Sequence, residues 1–220
     1  MSSQFLGLTN KKMKHCFIDC ETMGPEASDC AVVDFSFMVV DSDRFISENP
    51  YTTKSISEVK RFKLSVKDQV DNYGFIVYKS TVEEFWGTLP PEARKHAIPK
   101  STDLTLKEFT SNVISYLSDF GKIHYWWSRS NTFDPIILSR LFSADKKYAA
   151  MNEHLPHWKV RDIRTFIDAK LDFPKKNGFI PIDDEDHWRS VFVEHDSSWD
   201  VLADVLRMQK IIRIENDLEG

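Results

Sequence analysis

The stretch Phe17-Ile18-Asp19-Cys20-Glu21 decides the fold and the chemistry predicted for this chain. It lies at the end of a short apolar run, which is typical of a buried strand. Because alternate residues of a strand project to the same face, Asp19 and Glu21 are predicted to lie side by side. Neighbouring carboxylates repel each other unless a cation lies between them or one of them stays protonated. The stretch therefore indicates a site for divalent cations, with a solvated strand end as the alternative.

Length and composition indicate one folded domain. The chain has 220 residues, of which 41 % are hydrophobic and 29 % are charged, and neither value is typical of a disordered or fibrous protein. About 200 residues is an ordinary size for a single domain. We expect one domain over residues 1–220, in which residues 1–13 form a flexible N-terminal extension.

The apolar runs and the cysteines indicate in which cellular compartment the protein is expected. The longest apolar stretch, residues 31–40, is interrupted by Asp34 and Ser36, whereas a transmembrane helix needs about 20 apolar residues. The three cysteines all lie within the first 30 residues, at spacings that match no zinc-ligand set. Reduced thiols in a cytoplasmic protein without a membrane span are therefore expected.

The charge balance is acidic. With 29 Lys+Arg against 34 Asp+Glu, the formal net charge is −5. Domains that coat nucleic acid by charge alone usually carry a positive surplus, so the acidic balance argues against this class. An enzyme that holds metal ions through acidic side chains is compatible with the balance.

The order of predicted elements indicates an α/β fold with a mixed central β-sheet flanked by helices. Strand-like runs at residues 15–19, 31–40 and 60–66 come first and predict an antiparallel meander. Helical periodicity then alternates with strand-like runs at residues 124–127 and 159–162. Helices are predicted at 81–86, 92–96, 104–117, from 135, at 165–171 and from 197, with a turn-rich loop over 177–189.

A second acidic position is Asp134, which directly precedes Pro135 at the start of a predicted helix. Asp is common as a helix N-cap, and Pro is common at the first helical position. Capping is therefore the ordinary interpretation. A capping Asp keeps one carboxylate oxygen free, so a second role as a metal ligand is compatible with it.

The third candidate segment begins the last helix. His195 precedes this helix, and Asp200 lies near its first turn. An ordinary imidazole pKa of about 6.5 suits removal of a proton from water near neutral pH. The alternative is that Asp196 or Ser197 caps the helix while Asp200 pairs with a surface base. Asp204, one turn further on, competes with Asp200 for a ligand role.

The order of these three segments resembles the DEDDh exonucleases of the DnaQ-like superfamily. That family combines Asp-x-Glu on the first strand, an Asp at a middle helix and His-x4-Asp on the last helix. Further motifs resemble the group that includes exonuclease A of T-even bacteriophages and, less closely, ribonuclease T-like bacterial exoribonucleases. These motifs are IDCETMG at residues 18–24, Trp86 followed by PEARK at 91–95, RDIRT at 161–165 and HDS at 195–197.

The resemblance implies an RNase H-like fold and 3′→5′ removal of nucleotides with two Mg²⁺ ions, for which Mn²⁺ can substitute. Matched by position, Asp19, Glu21, Asp134 and Asp200 correspond to the four metal-binding carboxylates, and His195 corresponds to the general base. The His-x4-Asp spacing favours Asp200 over the carboxylate one turn later.

Substrate contacts are predicted from the resemblance and from residue type. Thr22 and Met23 match the segment that touches the terminal nucleotide. Because bases stack on aromatic rings, Trp86 is a candidate platform. Arg129 and Arg164 are candidate phosphate contacts. The implied partner is the 3′ end of a single-stranded nucleic acid, with DNA favoured over RNA, and relatives of this kind lead us to expect a homodimer.

Two alternatives stay open at this point. The first keeps the fold and changes the sugar, giving an exoribonuclease that trims RNA 3′ ends; contacts to the 2′-hydroxyl would distinguish it. The second is a non-catalytic module that binds nucleic acid or protein. Such a module is expected to lack at least one of the five matched residues, and all five are present.

Overall fold

The computed structural model describes residues 12–171, 178–182 and 185–218, without the side chains of residues 185 and 186. Except for its last two residues, the predicted N-terminal extension lies outside this part of the chain. Among the described residues, no helix is both long and apolar enough to cross a membrane. All three cysteines are free and buried.

One mixed sheet forms the centre of the fold. Its strands are β1 (Lys14–Thr22), β2 (Val32–Asp41), β3 (Lys60–Lys63), β4 (Tyr125–Ser128) and β5 (Val160–Asp162). They lie in the order β3-β2-β1-β4-β5. The first three strands are antiparallel neighbours, whereas β4 runs parallel to β1 and to β5. The predicted meander and the mixed α/β class are confirmed.

Helices cover both faces of this sheet. Within the described ranges they are α1 (Val66–Tyr73), α2 (Pro91–Ala97), α3 (Leu106–Ser118), α4 (Asp134–Ala144), α5 (Tyr148–His154), α6 (Ile163–Lys170), α7 (Glu185–Val191) and α8 (Ser197–Glu215). Short 3-10 turns occupy Ser42–Ile46, Thr53–Glu58, Trp86–Thr88 and His157–Lys159, and a π-helical turn occupies Thr81–Phe85.

Local sequence signals missed some of these elements. The predicted third strand ends at Lys63, because the hydroxyl of Ser65 accepts a hydrogen bond from the backbone N–H of Asp68 and caps α1. The helix predicted from residue 81 is a single π-helical turn. The helix α5 was not predicted, and α7 lies within the segment predicted to be a loop.

The core has two layers, one on each face of the sheet. In β1, Cys16, Ile18 and Cys20 pack in the layer that contains α3 and α4, whereas Phe17 packs in the layer that contains α6 and α8. This alternation is the period of two expected for a strand buried on both faces. Asp19, two residues after Phe17, shares the face of β1 that α8 covers.

Truncating Phe109 in α3 is expected to destabilise the fold without touching the predicted site. Its ring is fully buried and contacts the rings of Phe35, Phe62 and Phe142. Because Phe109→Ala leaves a cavity, it should lower the free energy of unfolding by about 3–5 kcal/mol in urea denaturation. The control is Trp158→Ala, whose side chain is 61 % exposed and whose loss should cost less than about 1 kcal/mol. Equal effects of the two variants would contradict this account.

Candidate active site

A cavity of about 470 Å³ opens where the end of β1 meets the first turns of α4 and α8. All five residues matched by the sequence motifs line this cavity. Its lining consists of Asp19, Cys20, Glu21, Arg129, Ser130, Thr132, Phe133, Asp134, Arg164, His195 and Asp200. Residues more than 170 positions apart in the sequence therefore face one space.

Three carboxylates form a compact cluster in this cavity. One oxygen from each of Asp19, Glu21 and Asp200 lies within 4.8 Å of the other two. Glu21 is 8 % exposed, and the other two are partly buried. Asp19 and Glu21 lie two residues apart on β1, and α8 brings Asp200 to the same face. The solvated strand end considered from the sequence is wrong.

Asp134 is the most buried carboxylate of the cavity, with 4 % exposure. It is the first residue of α4, where Phe133 occupies the N-cap position and no side chain caps the helix. The capping role considered from the sequence is therefore not found. Instead, the thiol of Cys20 donates a hydrogen bond to Asp134 Oδ1 over 3.3 Å. This contact joins α4 to the opposite face of β1.

Asp204 is neutralised by two arginines. Its Oδ1 accepts hydrogen bonds from Arg129 at 2.7 Å and from Arg207 at 3.1 Å. Asp204 does not line the cavity. In contrast, no ion pair of Asp200 exists among the described residues. Of these two neighbouring carboxylates, Asp200 is therefore the one available to a cation.

His195 stands before the helix in an unusual conformation. Its φ angle of 58° lies in the left-handed region, which residues other than glycine seldom occupy and which clusters at functional sites. Its Nδ1 lies 3.9 Å from Glu21 Oε1 and its Nε2 lies 3.8 Å from Glu194 Oε1. The ring meets Phe85 edge to face, with centroids 4.7 Å apart. The backbone thus turns the imidazole toward the acidic cluster.

The carboxyl groups of the cavity resist ionisation. Burial, followed by the charges of Asp134, Asp200 and Glu21, raises the pKa of Asp19 well above its ordinary value. Burial, followed by the charge of Asp34, does the same to Glu21. Burial is also the first cause that raises the pKa of Asp134 and of Asp200 to about 7 each. Without cations, the cavity therefore favours protonated carboxyl groups near neutral pH.

The donor set fits hard divalent cations. Carboxylate oxygens are the ligands that Mg²⁺ and Mn²⁺ prefer, and three of them lie within 4.8 Å of one another. Asp134 lines the same cavity, and its charge raises the pKa of Asp19. Divalent cations would offset this repulsion. The residues that would hold them are Asp19, Glu21, Asp134 and Asp200.

The predicted substrate contacts have mixed outcomes. Trp86 is 4 % exposed and donates its indole N–H to the Thr22 carbonyl over 2.9 Å, so it cannot act as an open stacking platform. Thr22 and Met23 do not line the cavity, and Met23 is buried in the core. Arg129 and Arg164 both line it. Arg129 is tied to Asp204, whereas Arg164 pairs with no carboxylate of the described residues.

Several residues at or beside the site were not found from the sequence. Phe133 lines the cavity beside Asp134, whereas Trp86 does not. Cys20 contacts Asp134, and Arg61 binds a group of buried acids described below. The sequence offers a signal for Phe133 and Cys20, because both are adjacent to predicted metal ligands, but it offers none for Arg61.

The chain is similar to a known protein family in sequence and to solved structures in fold. Residues 14–191 match the model of the 3′-5′ exoribonuclease Rv2179c-like domain. This match includes Asp19, Glu21 and Asp134, and it ends before His195 and Asp200. No curated protein sequence matches the chain.

Solved structures of exonuclease I share the fold. An apo structure has a TM-score of 0.58 at 17 % identity and covers 94 % of this chain and 44 % of that chain. A product-bound structure has a TM-score of 0.57 at 18 % identity and covers 94 % and 45 %. The E. coli enzyme with a 5cy-dT13 oligonucleotide has a TM-score of 0.55 at 17 % identity and covers 94 % and 41 %.

The chain therefore spans less than half the length of the exonuclease I structures it matches. At this identity the likeness concerns the fold alone, and it confirms the RNase H-like α/β fold. The family model covers most of the chain, including β1, which carries Asp19 and Glu21. The chain belongs to the Rv2179c-like 3′-5′ exoribonuclease domain family.

Proposed function

We propose that this chain is a metal-dependent 3′→5′ exonuclease of the DnaQ-like group, which hydrolyses the terminal phosphodiester of a single strand and releases nucleoside monophosphates. The observation that carries the proposal is the convergence of Asp19, Glu21, Asp134, His195 and Asp200 on one cavity. Family membership supports the reaction class. The complete set of five residues disfavours a non-catalytic binding module.

In the proposed mechanism, the four carboxylates hold two divalent cations, Mg²⁺ or Mn²⁺. Two such ions would supply an activated water and stabilise the departing 3′-oxygen. His195 takes the proton of the attacking water, a role usually worth about 10²–10⁴ in rate. The left-handed backbone of His195 turns its ring toward Glu21. The edge-to-face contact with Phe85 limits rotation of the imidazole. Arg129 keeps Asp204 out of the ligand set.

The substrate proposal has two forms. Single-stranded DNA is the substrate indicated by the sequence motifs, and structures of exonuclease I with DNA oligonucleotides share the fold. RNA is the second candidate, because the description of the matched family names an exoribonuclease. We also predict that the chain is related to the exonuclease A group, that it folds as a single domain and that it forms a homodimer.

Labelled oligomers test the reaction and the substrate together. Matched DNA and RNA single strands carrying a label at the 5′ end should be shortened stepwise with Mg²⁺ and left intact with EDTA. A label at the 3′ end should be released at once as a mononucleotide. The faster of the two substrates identifies the sugar that the cavity prefers. Release of the 5′ label first, or internal cleavage, would contradict the proposal.

Substituting Asp19 should separate activity from stability. Asp19→Asn removes a ligand and should lower the rate of hydrolysis by more than about 100-fold. The same change removes a buried carboxyl group whose ionisation is opposed by burial and by the charges of Asp134, Asp200 and Glu21, so the metal-free variant should unfold at an equal or higher Tm at pH 8. Asp71→Asn, which alters an exposed pair with Lys67, is the control and should retain full activity. Parental activity in Asp19→Asn would contradict the assignment.

The stability of the protein should depend on pH and metal together. Asp134 and Asp200 have pKa values of about 7 in the folded chain, above their ordinary value of 3.8. The folded metal-free protein therefore holds protons that the unfolded chain releases, and its stability declines as pH rises from about 4 through about 7. Mg²⁺ should raise the Tm more at pH 8 than at pH 5, because protons compete with the cation.

Thermal unfolding with Mg²⁺ and with EDTA at both pH values provides the measurement. Asp19→Asn serves as the comparison, since its Mg²⁺-dependent rise in Tm should be small at either pH. An equal rise in Tm at pH 5 and pH 8 for the parental protein would be incompatible with ionisation of these carboxyl groups near pH 7.

A further inference from the structure

A second pair of buried acids lies next to the cavity. Asp34 on β2 is fully buried, and Asp196, directly before α8, is 6 % exposed. Asp34 is the register partner of Glu21 across the β1–β2 pair. Neither residue lines the cavity. Two buried carboxylates beside a metal-binding carboxylate need a counter-charge, because removing unpaired ions from water is costly.

Arg61 supplies this counter-charge to both acids. Its Nη2 donates to Asp34 Oδ2, and its Nη1 donates to Asp196 Oδ2 over 3.1 Å. The guanidinium can do this because its nitrogens form a planar fork. Arg61 lies on β3 opposite Ser36 of β2, and Ser36 in turn lies opposite Asp19 of β1. The arginine is therefore in the row of residues that crosses the sheet at the acidic cluster.

The two acids held by Arg61 fix the first turn of α8. Asp196 Oδ1 accepts a hydrogen bond from the backbone N–H of Ser198 over 3.0 Å and so caps the helix. Asp34 Oδ1 accepts one from the hydroxyl of Ser197 over 2.6 Å. The hydroxyl of Ser36 lies 2.7 Å from that of Ser197 and 3.0 Å from that of Ser198. This turn carries His195 on one side and Asp200 on the other.

His96 completes the arrangement from α2. Its Nδ1 lies 2.8 Å from Arg61 Nη2, and its Nε2 lies 3.1 Å from Asp196 Oδ2. No sequence pattern indicated a role for this histidine, so its place in an ionic network was not predicted. Arg61 therefore joins β2, β3, α2 and α8, although it does not line the cavity.

We propose that Arg61 is a positioning residue, which sets the divalent-cation affinity of the site by holding the first turn of α8 against β2 and β3. This inference rests on the proposed metal site. Arg61 does not line the cavity, and it acts through Asp34 and Asp196 on the placement of His195 and Asp200. Residues that orient metal ligands in this way typically change metal affinity or activity by 10–100-fold when substituted.

The sign of the effect distinguishes positioning from simple electrostatics. Removing a positive charge close to an acidic site would, by charge alone, strengthen the binding of a cation. Positioning predicts the opposite result. Arg61→Met should weaken Mn²⁺ binding to the substrate-free protein by about 10–100-fold at pH 8, measured by titration calorimetry. Arg61→Lys keeps the charge but lacks the fork that reaches both acids, and it should weaken binding by about 10-fold.

Two further variants serve as controls. Arg44→Met breaks a partly exposed pair with Glu58, which has a separation of 2.7 Å, and should leave Mn²⁺ affinity unchanged. The double variant Arg61→Met/Asp34→Asn removes one of the two buried charges that lose their counter-charge with Arg61, namely that of the fully buried Asp34. It should regain part of the Tm that Arg61→Met loses while its Mn²⁺ affinity stays at least about 10-fold below the parental value. If Arg61→Met does not fold, Arg61→Lys and the double variant carry the test.

Parental or tighter Mn²⁺ binding in the single variants would overturn the inference, and so would full recovery of affinity in the double variant. The measurement needs no substrate. A parental protein that binds Mn²⁺ but degrades no oligomer would overturn the proposed function and leave the role of Arg61 intact.

Discussion

The mutual repulsion of the cavity carboxylates is the constraint on which the rest of the structure depends. Oxygens of Asp19, Glu21 and Asp200 lie within 4.8 Å of one another, and burial, followed by the charges of neighbouring carboxylates, raises the pKa of these groups. In water such groups would separate and become solvated. Favourable packing elsewhere in the fold must therefore offset the free-energy cost of keeping them together. Much of the architecture holds the elements that carry these acids in place.

Each acid is held by an element that is itself anchored in one layer of the core. The strand β1 is buried on both faces, which leaves Asp19 and Glu21 no freedom to turn away. The thiol of Cys20 holds Asp134 from the α4 side, and the ionic network of Arg61 holds the start of α8 on the other side. The acidic cluster is thus supported from both layers of the core, so a substitution in either layer can change its geometry.

Local sequence patterns predicted the parts of this arrangement that depend on local geometry. The shared face of Asp19 and Glu21 follows from the period of a strand, and the meander follows from alternating apolar residues. The choice of Asp200 over Asp204 came from a resemblance, and its physical reason, the pairing of Asp204 with two arginines, is a tertiary contact. The burial of Trp86 and the role of Arg61 also depend on residues distant in sequence, and no local pattern encodes them. The helix α5 was missed because its seven residues are too short for a clear apolar period.

The position of α8 in the chain has a consequence for folding. This helix supplies Asp200, and His195 lies two positions before its first residue, at a cavity whose other acids come from β1 and α4. The contact with β1 closes a loop of more than 170 residues. Contacts of such long range form at a high entropic cost and contribute to high contact order. Any partly folded state in which this helix is undocked holds only two residues of the three-acid cluster. The complete three-acid cluster is therefore a property of the finished tertiary structure, and transient opening of one helix suffices to disrupt it.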